Sequence, residues 1–207
     1  MDEYNIIPIG DHCAISVTLN DLGKRQCSYP FDWITKKEQI NDTNIIYNVN
    51  IISELRSDNT KDIVQKYIGD AFNNVEKLNT DNNIIFPHDC INSEGISDVF
   101  YKYERRFNRL YSDIHNKKNM FILLTRHYFI EECVFDKIVE SLLSYNLKNI
   151  IVFISGINHP YLDSEKYKDK VIFKYIYYDV PKAFNYDFDV FRPALTIYFK
   201  ELFDIKT

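Results

Sequence analysis

The sequence predicts an α/β fold: a mostly parallel sheet flanked by helices in three layers, of the Rossmann or flavodoxin-like kind. Three observations predict it. Short, continuously apolar runs recur in the second half, "NMFILLTRHY" (119–128), "KNIIVFISG" (148–156) and "KVIFKYIYYD" (170–179), the pattern of strands buried on both faces. Between the first two lies "EECVFDKIVESLLSYNL", with Val134, Ile138, Leu142 and Leu143 at helical spacing. The links are short, so strand, helix and strand read as a parallel crossover.

The other elements follow in chain order. "YNIIPIG" (4–10) reads as a short buried strand, and residues 14–22 as a short helix with Ile15, Leu19 and Leu22 on one side. Gly23 suits the position just past that helix. From about 35 to 80 the chain is punctuated by Asn and Asp, with helices expected near "NIISELR" and "TKDIVQKYIGDAF". "NNIIFP" (82–87) reads as a further strand of the sheet and "DVFYKYERRFNRLYSDIH" (98–115) as a helix. A last helix covers "YDFDVFRPALTIYFKELF", with Asp187 or Asp189 near its start; Pro193 sits in the first turn or marks a later start. There is no repeat and no linker, so residues 1–207 are expected to form one domain with an irregular helical insertion at 35–80.

Composition narrows the function classes. At 45% hydrophobic and 15% aromatic, with 5 Gly and 6 Pro in 207 residues, the chain can bury a substantial core without staples. A net charge of −5 argues against a broad nucleic-acid surface, which needs clustered cations. "MDEYN" lacks the charged-then-apolar design of a signal peptide, and no apolar run approaches the roughly 18 residues of a membrane span. A cytoplasmic protein with no membrane partner is expected. Cys13, Cys27, Cys90 and Cys133 lie far apart with no C-x-x-C pair, which predicts free thiols in a reducing compartment.

The chemistry-bearing residues fall at the ends of the candidate strands, where ligands of open parallel sheets bind. The first strand ends in Asp11, His12 and Cys13, and "IIFP" in His88, Asp89 and Cys90. "FILLTRHY" ends in Arg126 and His127, "IIVFIS" in Ser155, Asn158 and His159, and the last strand in Asp179. Cys13 would sit at a helix start, where unpaired N–H groups and the dipole favour thiolate; the alternative is a buried structural cysteine. His12, adjacent in sequence, points elsewhere, so His88 is the better base, with Asp89 or Asp32 to fix its tautomer. Asp32 lies in "CSYPFDWI" (27–34), which holds the only Trp, and reads as a turn cap or as that orienter. Arg105, Arg106 and Arg109 in "YERRFNRLY" are either solvated helix charges or an anion-binding face. Cys13, His88 and Cys90 lack zinc-ligand spacing, and G-x-G-x-x-G, Walker and G-x-S-x-G motifs are missing. No metal and no cofactor is expected.

Four blocks in order, "IGDHC" (9–13), "YPFDW" (29–33), "FPHDC" (86–90) and "YERRFNRL" (103–110), resemble a domain-of-unknown-function family of bacterial and viral proteins assigned by prediction to the papain-like cysteine peptidases. The resemblance is concentrated in the first 110 residues. It implies a nucleophile at Cys13 and a base at His88, with Asp89 or Asp32 as helper. It also implies a papain-like arrangement, a Cys-bearing helix on an antiparallel barrel-like sheet, where the strand pattern implies a parallel one. The expectation is a cysteine-dependent hydrolase or acyl-transfer enzyme acting on a small-molecule, peptide or glycan substrate. Asp11, His12, Arg126, His127 and His159 would line the substrate side. Two alternatives remain: a flavodoxin-like esterase, for which "IGDHC" carries Cys where such enzymes carry Ser and no late Asp-x-x-His is present, and a non-catalytic binding module at the same strand edge.

Overall fold

The computed structural model describes residues 3–10, 13–32, 35–36, 43–69, 78–79, 84–86, 95–126, 128–177 and 187–204. Its main sheet has four parallel strands: β1 (Asn5–Gly10), β5 (Asn119–Thr125), β6 (Ile150–Ser155) and β7 (Val171–Tyr175), side by side in that order. Between β1 and β5 come α1 (Ala14–Asp21), a 3-10 turn (Pro30–Asp32), α2 (Thr43–Glu54), α3 (Thr60–Val64) running into a π turn (Gln65–Gly69), and α4 (Ile96–Asn116). Helix α5 (Glu132–Ser144) links β5 to β6, and α6 (Asp187–Leu202) follows β7. The parallel three-layer arrangement is the one the strand–helix–strand pattern predicts, and not the antiparallel barrel that the family resemblance implies.

Alternation of side chains along the strands builds two cores. Ile7, Ile9, Phe121, Leu123, Ile151 and Phe153 face one way and pack with α2, α3, α4 and α5. Met120, Ile122, Leu124, Val152 and Ile154 face the other way and pack with α1 and α6. Helix α4 shows how the sequence achieves this: Val99, Tyr103, Phe107, Leu110 and Ile114, spaced three or four apart, are all wholly buried on one face. Each such side chain contributes about 1.5–3 kcal/mol by leaving water.

Asparagine stands at the start of β1 and of β5 and directly before β6. Asn5 donates to the side-chain carbonyl of Asn119 (3.0 Å), and that of Asn149 accepts from the Asn119 backbone N–H (2.8 Å). Asn149 in turn donates to the Leu142 carbonyl (3.2 Å), so the amino edge of the sheet is closed by amides that satisfy one another.

Three sequence expectations need correction. "IIF" does form a strand, β4 (Ile84–Phe86), but it pairs antiparallel between β2 (Thr35–Lys36) and β3 (Leu78–Asn79) in a separate three-stranded sheet. Its apolar run marked a strand without saying which strand it would pair with. Pro193 lies neither in the first turn nor before the start of α6 but inside the helix, six residues along from Asp187. The last strand stops at Tyr175, short of the expected 179. The helices expected near "NIISELR" and "TKDIVQKYIGDAF" are present as α2 and α3 with its π turn. No helix among the described residues is long and apolar enough to cross a membrane.

Candidate active site

The chain geometry makes a crevice at one place on the sheet. After β1 the chain turns onto the α1–α6 face, whereas after the adjacent β5 it turns onto the α5 face. Loops that leave neighbouring parallel strands in opposite directions open a cleft at their carboxyl ends, where doubly wound folds bind ligands. Gly10 ends β1 directly opposite Leu124 of β5. A Cβ at Gly10 would lie 3.2 Å from Leu124 Cβ and 3.3 Å from Ile15 Cδ1, so the glycine lets α1 settle against the sheet. Cys13 follows as the N-cap residue of α1, and its carbonyl accepts the first helical hydrogen bond, from Val17 N–H (3.0 Å).

Cys13 is half-buried with a free thiol, as are Cys27, also half-buried, and the exposed Cys133. The helix start was expected to lower the Cys13 pKa; the net direction is the reverse. Burial is the largest influence and pushes the thiol up, while its own backbone N–H and the charge of Arg126 pull it down by less. Arg126 directly follows β5 on the other side of the crevice and is itself buried. The thiol of the resting protein is therefore protonated at neutral pH, and a nucleophile at this position needs a base.

Asp32 is a hub. Its buried carboxylate accepts from Ser16 Oγ (2.8 Å), Arg25 Nη2 (2.5 Å) and the Tyr29 backbone N–H (2.8 Å). Burial pushes the Asp32 carboxyl up, and Arg25, Ser16 and the Tyr29 N–H oppose it. These partners occupy the carboxylate, so it caps the 29–32 turn and ties that turn to α1. The turn is anchored further by Tyr29, whose hydroxyl meets Asp113 Oδ2 (2.6 Å) and Asn5 Oδ1 (3.0 Å). Arg109 reaches the same segment by donating to the Ser28 carbonyl (2.7 Å), which gives one arginine of "YERRFNRL" a packing role. Arg106 lies over the Tyr103 ring, 4.8 Å from its centroid.

His159, expected on the substrate side, is wholly buried. Its Nδ1–H donates to the Ile157 carbonyl (2.9 Å) and its Nε2 accepts from the Ile130 N–H (3.0 Å), which defines a neutral tautomer. Phe129 stacks on the ring at 4.8 Å. Both nitrogens are committed to the backbone, so the residue clamps the β5–α5 and post-β6 loops together. His115 bonds the Tyr111 carbonyl (2.8 Å). No Cys–His pair therefore forms among the described residues, which also hold no group of three His, Cys, Asp or Glu fit for a metal ion. Asp11, His12, His88, Asp89, Cys90, His127 and Asp179 lie outside the described residues. The separate sheet of β4 removes the reason for placing His88 at the same strand edge as Cys13. Ser16 and Arg25 were missed by sequence reasoning. The available signal was spacing: Ser16 stands one helical turn after Cys13, and Arg25 stands seven residues before Asp32.

No curated protein and no solved structure matches the chain. Residues 4–154 match the model of the family described as "Putative papain-like cysteine peptidase (DUF1796)", a span that takes in β1, α1, the Asp32 turn, α4, β5 and nearly all of β6. With most of its length covered by that match, the chain belongs to the DUF1796 family.

Proposed function

We propose that the protein is a cysteine-dependent hydrolase or acyl-transfer enzyme with Cys13 as nucleophile. The observation that carries the reading is the position of Cys13: at the β1–α1 junction, in the crevice between diverging connections, and within electrostatic reach of Arg126. Family membership supports the same chemistry. In this reading His88, the base that the family resemblance of the "FPHDC" block implies, removes the Sγ proton as the sulfur attacks the substrate carbonyl carbon, forming a C–S bond. Backbone N–H groups in the first turn of α1 receive the oxyanion. The oxyanion collapses, His88 returns the proton to the leaving group, and water or another acceptor takes the acyl group from sulfur. Asp89 orients His88, since Asp32 is occupied with its turn and α1. Asp11, His12, Arg126 and His127 flank the substrate.

The test is a screen of chromogenic esters, thioesters and peptides, combined with iodoacetamide alkylation of Cys13 read by peptide mass across pH. Turnover should fall at least about a thousandfold in Cys13→Ser, and His88→Ala should slow Cys13 alkylation at neutral pH. Turnover that survives Cys13→Ser, or alkylation indifferent to His88, sinks the proposal.

The architecture favours one neighbouring reading. A nucleophile just after the first strand of a parallel three-layer sheet is also the placement in flavodoxin-like esterases, so ester hydrolysis belongs in the screen beside peptide cleavage.

A further inference from the structure

Helix α1 is eight residues long, too short to hold its own shape in water. Ala14, Ile15 and Leu19 fasten one side of it to the sheet. Ser16 is equally buried, but its hydroxyl goes to Asp32 (2.8 Å) rather than to the helix backbone. The Tyr29 N–H closes the turn at Asp32, and Arg25 supplies a countercharge. Among these donors, Ser16 is the one that comes from α1. The turn at the other end of this bond is immobilised through Tyr29 on α4 and β1, and through Arg109 on Ser28.

We propose that Ser16 is a positioning residue for Cys13: its bond to Asp32 fixes the rotation of the first turn of α1, and with it the depth and direction of the thiol. This rests on the reading of Cys13 as the working group, although the bond acts on the thiol whatever Cys13 does. Arg126, across the crevice, is the charged group set against the sulfur; Asp32 and Arg25 act on Cys13 through Ser16. A first turn freed from Asp32 lets the thiol reach water, which removes the burial that holds it protonated.

The experiment measures iodoacetamide alkylation of Cys13, Cys27 and Cys133 in the full chain, across pH, in wild type, Ser16→Ala and Ser16→Thr. Alanine removes one oxygen and favours helix, so the fold survives. Ser16→Ala should speed Cys13 alkylation at neutral pH by about tenfold and shift its pH midpoint down, as a thiol released to water gains thiolate. Cys133, on α5 and outside the Asp32 turn, serves as the internal standard and should stay within about twofold. Ser16→Thr, which keeps the hydroxyl, should restore the wild-type profile. If all three cysteines speed up together, or Thr fails where Ala fails, the bond is general stabilisation and the proposal falls. A Cys13 profile indifferent to Ser16 overturns it as well. Loss of the His88 dependence would sink the enzyme reading alone, because the Ser16 comparison needs no turnover.

Discussion

His159 illustrates how a buried titratable side chain couples stability to pH. Its imidazole bridges the Ile157 carbonyl and the Ile130 N–H, an arrangement open only to the neutral form. Burial accordingly lowers its pKa from 6.5. The unfolded chain takes up the proton first as pH falls, so the unfolded state binds more protons between the folded and unfolded values. Stability contributed by neutral His159 is full above about pH 6.5 and drains away on acidification below it. Thermal melts from pH 5 to 8 should show a fall in Tm below about 6.5 that is reduced in His159→Ala. That variant should also lose at least about 2 kcal/mol at pH 8, because two backbone groups are left buried without partners. An unchanged acid limb in the variant would remove His159 from the pH response. The sequence placed this histidine at a strand end, where function and packing are equally at home. Its ring contacts with Phe129, Phe153 and Tyr161 come from three separate segments, and no local pattern announces such a meeting.

The β1–α1 unit shows the same division among elements. The apolar run ending at Gly10 and the helical spacing of Ile15 and Leu19 were legible, because both signals are local. The role of Gly10 was not, since the atoms its Cβ would meet belong to Leu124 and Ile15. Gly10→Val should lower stability by about 1–3 kcal/mol through overpacking, read as a reduced urea midpoint with unchanged slope. It should also disturb Cys13, because α1 must move to make room. A variant as stable as wild type would mean that α1 is not seated by this contact. Helix α6 makes the opposite point. Pro193 was read as a boundary from backbone chemistry, yet the helix runs from Asp187 through it. Phe191, Leu195 and Phe199, buried on the sheet, hold the helix together across the missing hydrogen bond.

The whole molecule is organised around β5 and β6. Each has a strand on either side, and all seven residues of β5 are buried. Such a segment opens only when both cores come apart. Its backbone amides should therefore exchange with solvent at the rate of global unfolding, the slowest in the chain. β7, at one end of the strand order and only partly buried, should exchange faster. Equal protection in β5 and β7 would show that the sheet opens as one unit. The same arrangement determines where chemistry can occur. The connections after β1 and β5 leave in opposite directions, and the resulting crevice brings Cys13 and Arg126 to facing sides although 113 positions separate them in the sequence.

Local sequence was enough for the strands and helices of the second half, the parallel α/β class, the free thiols of Cys13, Cys27 and Cys133, and the family. Each follows from periodicity, spacing or motif, which are properties of neighbouring residues. Packing of the whole chain was needed to reveal that β4 leaves the main sheet, that His159 is a clamp and that Asp32 ties a turn to α1 through Ser16. It also decided that burial outweighs the helix start at the Cys13 thiol. Partners in these cases are distant in sequence, and burial, which governs both hydrogen-bond satisfaction and the cost of charge, depends on how the whole chain packs.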